Sequence, residues 1–341
     1  MDKKTIALVQ GDPAGIGPEL MVKLLLDKKI LKKANILVIG DPKVFSRGEN
    51  TVGSKINNVL HISSISNLNF SKYDINHLDI NFSGIEKVRT ATVSEIGGIS
   101  TIESLRCSLE LSKKGFISAI VFMPFNKESM HMAGNEFNDE IGFISKFFEL
   151  KTRVSEFNFA NGMWNSRVTS HVAMKDVPNL LTSSLICEEI KLTNKTLLSA
   201  GYKNPRIVVS AYNPHAGDGG LMGSEEIEII TPAVKKMREE KINVNGPLPA
   251  DTVWLKVRDG EYDAVVTMYH DQGQIAIKLL GFDRGVTILG GIPIPITTPA
   301  HGTAFDIAGQ NKANIIPSQN AFTISLNMVE HRNSTFGVVS N

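Results

Sequence analysis

The 341-residue sequence is poor in cysteine, with only Cys107, in SLRCSLEL, and Cys187, in SLICEEI. Each stands in a helical-looking stretch, and neither belongs to a CxxC or other metal spacing. A disulfide framework and a cysteine-bound metal are thereby excluded, and both residues read as reduced packing side chains. An excess of charge of one sign is equally absent. Thirty-six Lys+Arg against 35 Asp+Glu leave a formal net charge of +1, and no block of like charges accumulates, so the electrostatic footprint of a nucleic-acid or membrane-surface binder is missing. No apolar run approaches a membrane span. The start, MDKKTIALVQGDPAG, has an apolar core too short for a signal peptide and no small-residue cleavage site. Repeats and low-complexity linkers are not found. These absences point to a cytoplasmic protein whose partner is a small molecule.

What is present is an ordinary globular composition, 42% hydrophobic and 21% charged, with enough residues for two cores. Short β-branched runs, TIALV (5–9), NILVIG (35–40), AIVFMP (119–124), RIVVSA (206–211) and DAVVTMY (263–269), alternate with helical stretches. That pattern predicts an α/β fold with a largely parallel sheet. Residues 225–240, EEIEIITPAVKKMREE, read as a helix with acidic residues first and basic ones later, kinked at Pro232. The Asn/Ser-rich tract 50–80 has the weakest pattern and reads as a peripheral excursion with exposed strands.

GDPAGIGPE (11–19) lies between the first strand and a helix, and Gly15-Ile16-Gly17 invites comparison with the dinucleotide fingerprint. The match is poor: a third glycine at the required spacing is lacking, and Pro13 and Pro18 interrupt the turn. Two readings stay open, a ligand-lining loop and a tight strand-to-helix turn with Pro18 near the first helical position.

Eight histidines divide into two groups. His61, His77, His131 and His331 lie in polar or helical surroundings and read as surface or packing residues. His171 (RVTSHVAMKD), His215 (VVSAYNPHAGDGG), His270 (VVTMYHDQGQ) and His301 (PITTPAHGTAFD) each stand at or just beyond a strand-like run. In an open parallel sheet the ligand crevice lies outside the carboxyl ends of the strands, so side chains there converge from distant parts of the sequence. Three imidazoles delivered by separate loops can bind a divalent cation and leave positions for substrate oxygens. Asp218 and Asp271 are either second-shell orienters or direct ligands, or ordinary turn and capping residues. For Asp251, after the GPLP turn, a helix N-cap is the ordinary expectation.

GDPAGIGPE, TSHVAMKDVPNLLT, NPHAGDGGLMGSEE, GPLPADTVW, YHDQGQIAIK and HGTAFDIAG, in this order over residues 11–309, resemble the 4-hydroxythreonine-4-phosphate dehydrogenase family of vitamin B6 biosynthesis. The opening motif and HGTAFDIAGxxxAN also look like the cofactor-side loops of the isocitrate and isopropylmalate dehydrogenase superfamily, which binds NAD without a Rossmann fingerprint. The resemblance implies a two-domain α/β/α subunit, with residues 1–128 plus 300–341 in one domain and 129–299 in the other. It also implies a homodimer with its active site at the subunit interface and in the interdomain cleft. NAD would be the oxidant, assisted by a divalent metal (Zn, Co, Mn, Ni or Mg). The family's metal ligands fall on His171, His215 and His270, shared between subunits, and its substrate lysine on Lys278. Gly11, Gly15, Gly17, His301, Gly302, Thr303, Ala304 and Asp306 fall on the cofactor side. The chemistry implied is hydride transfer from a 4-phosphorylated 3-hydroxy acid, followed by loss of CO2. Lys278 and Arg284 are phosphate candidates, and Lys127, Asp251 and Asp271 are candidates for proton transfer or positioning.

The sequence departs from the family at the substrate. A His-Thr pair is replaced in NDEIGFIS, placing Asp139 and Glu140, or Glu140 and Ile141, in that region. The substrate asparagine falls on Thr287 and the arginine on Ile296, and no isoleucine reproduces a guanidinium fork. These changes resemble a paralogous branch that oxidises D-threonate 4-phosphate or D-erythronate 4-phosphate, whose hydroxyl stands where 4-phosphohydroxythreonine has an ammonium. The vitamin-pathway substrate is the alternative. A catalytically silent metal-binding homologue is the alternative of another class, and a metal-dependent hydrolase or aldolase a third.

Overall fold

The computed structural model describes residues 3–137 and 139–335. Among them the strands are, in chain order, β1 Thr5–Val9, β2 Asn35–Gly40, β3 Val59–Ile62, β4 Ile75–Asp79, β5 Ala119–Phe122, β6 Ser155–Ala160, β7 Met163–Arg167, β8 Ile207–Ser210, β9 Val244–Leu248, β10 Ala264–Thr267, β11 Val286–Gly290 and β12 Ile296–Pro299. The chain divides into two compact units. Met1–Glu149 with Ile292–Val329 forms the first, and Leu150–Gly291 with the chain from Glu330 forms the second.

In the first unit the strands lie in the order β3-β4-β2-β1-β5-β12, every neighbouring pair parallel. β1, β2 and β5 are the apolar runs TIALV, NILVIG and AIVF, buried along almost their whole length, as strands covered on both faces must be. The 50–80 tract supplies β3, at the edge and partly exposed, and β4, INHLD, buried from Ile75 to Leu78. β4 is therefore not the exposed strand expected. Its polar residues are buried because they have partners: Asn76 Oδ1 accepts from the Asn69 amide at 2.8 Å, and His77 lies between Asp79 and Gln10.

In the second unit the order is β11-β6-β7-β10-β8-β9. β7, β10, β8 and β9 run parallel, while β6 is antiparallel to both β7 and β11. Side chains alternate across the sheet. Ser166 hydrogen-bonds Thr193 of the helix Ser183–Ser199 at 2.8 Å, whereas Asn165, on the opposite face, meets Gly273 of the helix His270–Gly281. Helices thus cover both faces of this sheet. Val208 and Val265 pack with Val253, Trp254, Val257 and Ile277 in one apolar cluster.

The 225–240 segment is a π turn, Glu226–Ile230, followed by an α-helix, Thr231–Glu239, with Pro232 in its first turn. Proline has no amide to donate and its ring crowds the carbonyl one turn back; the widened turn is how the chain passes it. Among the described residues no helix is long and apolar enough to cross a membrane.

Candidate active site

β7, β10 and β8 are adjacent and parallel, and the chain leaving the carboxyl end of each carries one histidine. His171 follows β7, His270 opens the helix after β10, and His215 lies in the loop after β8. The rings of His171 and His270 are 5.6 Å apart. Both line one cavity of about 180 Å³ with Thr169, Ser170, Tyr269 and Asp271. His270 Nδ1 lies 2.7 Å from Asp271 Oδ1, so an Nδ1–H donated to the carboxylate leaves Nε2 as the lone-pair nitrogen. His171, His215 and His270 do not bring their ligand atoms within 4.8 Å of one another in the chain as it stands.

Three devices hold these loops. Gln272 accepts from the Met268 amide at 2.7 Å and donates to the Ala211 carbonyl at 2.6 Å, tying the end of β10 to the end of β8. Buried Glu226 accepts from the amides of Tyr212 and Asn213 at 2.8 and 2.7 Å, fixing the approach to His215. Beyond it, His215, Ala216 and Asp218 adopt φ of 52°, 56° and 44° and, with Gly217 and Gly219, form a left-handed turn. Each non-glycine residue there costs roughly 1–2 kcal/mol, strain that persists where the surroundings over-determine the backbone. His171 shares this conformation, with φ of 47°. Sequence reasoning assigned no role to Gln272 or Glu226. Gln272 had a signal, its place directly after His270 and Asp271; Glu226 sits in an amphipathic run and gave none.

In the first unit, Gly11, Gly15 and Gly17 are buried. A Cβ on Gly15 would stand 2.8 Å from both Cβ and the carbonyl oxygen of Thr303, and the Ile16 amide donates to that oxygen at 3.0 Å. The glycine loop is therefore the seat of the His301–Asp306 loop, and Pro18 occupies the first turn of the helix Gly17–Leu25. Gly302 and Asp306 are exposed and Thr303 half-buried, and Ala304 takes φ of 43°. His301 Nδ1 lies 3.2 Å from the Gly302 carbonyl, while Nε2 is buried without a partner; desolvation lowers its pKa and keeps the ring neutral. Nearby, Arg47 donates to the Pro13 carbonyl at 2.8 Å and, with Lys43, Asn50 and Gly309, lines an open hollow of about 670 Å³.

The remaining candidates scatter. Lys127 Nζ and Glu140 Oε2 are 4.0 Å apart, each at the start of a helix in the first unit, and Asp139 caps the second of these helices through the Gly142 amide at 2.9 Å. Lys278 is exposed on the helix His270–Gly281, its ammonium 5.9 Å from the Phe282 ring centre. Arg284 Nε lies 3.6 Å from Asp283. Thr287, on β11, accepts from Asn158 Nδ2 at 3.4 Å, and Asn158 Oδ1 in turn accepts from buried Arg167 at 2.7 Å. Ile296 is fully buried in β12. Asp251 is exposed inside the first turn of the helix Ala250–Arg258; the N-cap position belongs to Pro249, so the capping role expected for Asp251 is not seen.

Comparison with known proteins places this geometry. The solved structure of 4-hydroxythreonine-4-phosphate dehydrogenase from Klebsiella pneumoniae superposes with a TM-score of 0.82 at 34% identity, covering 96% of this chain and 99% of that one. The fold is thus the two-unit α/β architecture of that enzyme. The profile of the family described as "Pyridoxal phosphate biosynthetic protein PdxA" matches residues 32–325, and the chain belongs to this family. A Pseudomonas aeruginosa relative, provisionally named 4-hydroxythreonine-4-phosphate dehydrogenase 2, is 46% identical over 330 residues, 96% of this chain and 97% of its own length. The D-threonate 4-phosphate dehydrogenase of Salmonella typhimurium is 35% identical over 318 residues, 92% of this chain and 95% of its own.

Proposed function

We propose that the protein is an NAD-dependent, divalent-metal-dependent dehydrogenase. Its substrate is a 4-phosphorylated four-carbon 3-hydroxy acid, D-threonate 4-phosphate or D-erythronate 4-phosphate, which it converts to dihydroxyacetone phosphate and CO2. The observation that carries the reading is the delivery of His171, His215 and His270 by the carboxyl ends of three adjacent parallel strands.

The donor set suits a divalent cation. Two imidazoles share a cavity, and one of them is oriented by a carboxylate; His171, His215 and His270 would hold the ion. Because the three do not meet within one chain, a second copy completing the set agrees with a homodimer. So do two exposed apolar side chains, Leu221 just after the His215 turn at 80% exposure and Leu279 toward the far end of the helix that His270 opens at 83%. On the cofactor side, the buried, unpartnered Nε2 of His301 fits a group that brings a hydrogen-bond donor, such as a ribose hydroxyl. The loop 301–306 and the Arg47-lined hollow would hold NAD. NAD bound there would supply the hydride acceptor for C3, and a cation on the histidines would supply Lewis acidity for the C3 oxygen.

The chain's own residues then do the following. Lys278, with Arg284 as a second cation, pairs with the phosphate. Lys127 and Glu140 position the hydroxyl and carboxylate end and move the hydroxyl proton, with Asp251 as the other candidate acceptor. Asp271 is a positioning residue for His270. The 3-oxo acid loses its carboxylate, and the electron pair left on C2 is protonated.

The absence of a guanidinium at Ile296 and of an amide at Thr287 favours the sugar-acid substrates. The name of the 46% identical relative favours 4-phosphohydroxythreonine as the second reading. Initial rates with the three substrates, measured side by side, decide between them. The expected result is metal-dependent NADH formation at least tenfold faster with a sugar-acid phosphate; a tenfold preference for the amino substrate transfers the enzyme to the vitamin pathway, and no NADH with any of them removes the dehydrogenase reading.

A further inference from the structure

The geometry points to a separate divalent-metal site in the first unit, at His61, His77 and Asp79, suited to Zn, Co, Ni or Cu(II). Among the described residues this is the one set of three His, Cys, Asp or Glu whose ligand atoms all lie within 4.8 Å of one another. It does not depend on the reaction proposed above.

Strand register builds the cluster. β3 and β4 are parallel, and His61 stands directly opposite His77, so both rings rise from the same face of neighbouring strands. Asp79, two residues beyond His77, returns to that face. The ring centres are 4.9 Å apart, and Nδ1 of His61 and of His77 lie 2.8 and 2.6 Å from the same oxygen, Asp79 Oδ1. Phe45 meets both rings edge-on, at 6.5 and 5.2 Å between centres. Gln10 Nε2 lies 3.2 Å from His77 Nε2, a side-chain amide in the place where metal-binding imidazoles find their outer hydrogen bond. His77 is wholly buried, but His61 is 46% exposed on the edge strand, so an ion has a path in from the His61 side and coordination positions left for water.

Nitrogen, nitrogen and carboxylate oxygen suit borderline transition ions rather than Mg or Ca. Without an ion both rings donate Nδ1–H to Asp79. With one, each neutral ring carries its proton on Nε2 and presents the Nδ1 lone pair, so no net proton is released. The His77 Nε2–H then donates to Gln10 once the amide turns its oxygen toward it, and the His61 Nε2–H faces water. Tetrahedral ligand atoms at about 2.0–2.1 Å from the ion require a sub-ångström withdrawal of the Asp79 carboxylate from the two rings.

The test is equilibrium dialysis of metal-free, full-length protein against Co(II), with metal analysis and the visible d–d band as readouts, for wild type, His61→Ala, His61→Gln and His270→Ala. Wild type should bind one equivalent per chain more than either His61 variant, and His270→Ala should retain that equivalent. NADH formation by the His61 variants should be unchanged. His61→Gln keeps the side-chain size and a donor toward Asp79 and guards against a folding artefact. Equal Co(II) binding by wild type and folded His61→Gln overturns the site, whatever the activity of the enzyme proves to be.

Discussion

Asp271 sits 69% exposed yet 2.7 Å from the Nδ1 of His270. An exposed contact of this kind adds little to stability, so the role proposed for it is to fix the tautomer. Asp271→Asn should leave the melting temperature nearly unchanged while weakening metal affinity by about 10–100-fold, measured by titrating the metal-stripped protein; unaltered affinity would remove the positioning role. The strand-end placement of His215 and His270 was legible because each stands just past a β-branched run, a position that a parallel sheet turns toward its ligand crevice, whereas His171 follows β7, whose residues MWNSR form no such run. What no pattern carried was their support. Gln272 reaches Ala211 across 61 positions of sequence and Glu226 reaches back to Tyr212, and such partners are set by which strands neighbour each other, knowledge the chain order does not contain. Gly15 shows the reverse. Its motif suggested a cofactor loop, while the physical demand for glycine comes from Thr303, 2.8 Å from the missing Cβ. Gly15→Ala should cost roughly 1–3 kcal/mol and raise the KM for NAD by displacing the 301–306 loop, read by denaturant unfolding together with initial-rate kinetics.

At the scale of elements, the apolar strands β1, β2, β5, β8 and β10 were readable to within a few residues because burial on both faces leaves near-continuous apolar runs. β4, β6 and β7 were not. Their buried Asn76, His77, Asn158, Asn165 and Arg167 break the apolar signal, and each is accommodated by a partner only the folded chain supplies, such as Asn158 for Arg167. One of these hidden contacts is testable. A Cβ on Gly273 would collide with the Asn165 side chain, whose Nδ2 bonds Val265 O and Thr267 Oγ1 at 3.3 and 3.2 Å. Gly273→Ala should therefore push the helix His270–Gly281 off the sheet, costing about 1–3 kcal/mol despite alanine's better helix propensity. A stabilised variant in urea unfolding would show that the helix has room there.

For the whole molecule, pH dependence follows from buried histidines. Desolvation lowers the pKa of His77 and of His301 below the usual 6.5, so as pH falls through about 6.5 the unfolded chain takes up these protons before the folded one does. Their contribution to stability is complete above that value and declines below it. Asp12 and Glu189, raised by burial, act in the opposite direction at lower pH, so the effect is read as a difference. The gap in urea midpoint between wild type and His301→Asn should shrink between pH 7.5 and pH 5.5; a constant gap would mean that His301 is not held neutral. The α/β class was legible from the alternation of strands and helices, and two units were the expectation from chain length; the homodimer proposed above was implied by the family resemblance alone, because the sequence does not tell exposed apolar residues such as Leu221 and Leu279 from the apolar residues of the core. The most direct test of the central claim, that strand-end histidines hold the metal on which turnover depends, is the initial rate of NADH formation from D-threonate or D-erythronate 4-phosphate by metal-stripped protein as Mn or Zn is restored. Wild type should recover full activity while His270→Ala, with an unchanged circular dichroism spectrum, stays inactive; a His270→Ala protein that turns over at the wild-type rate without metal would contradict the account.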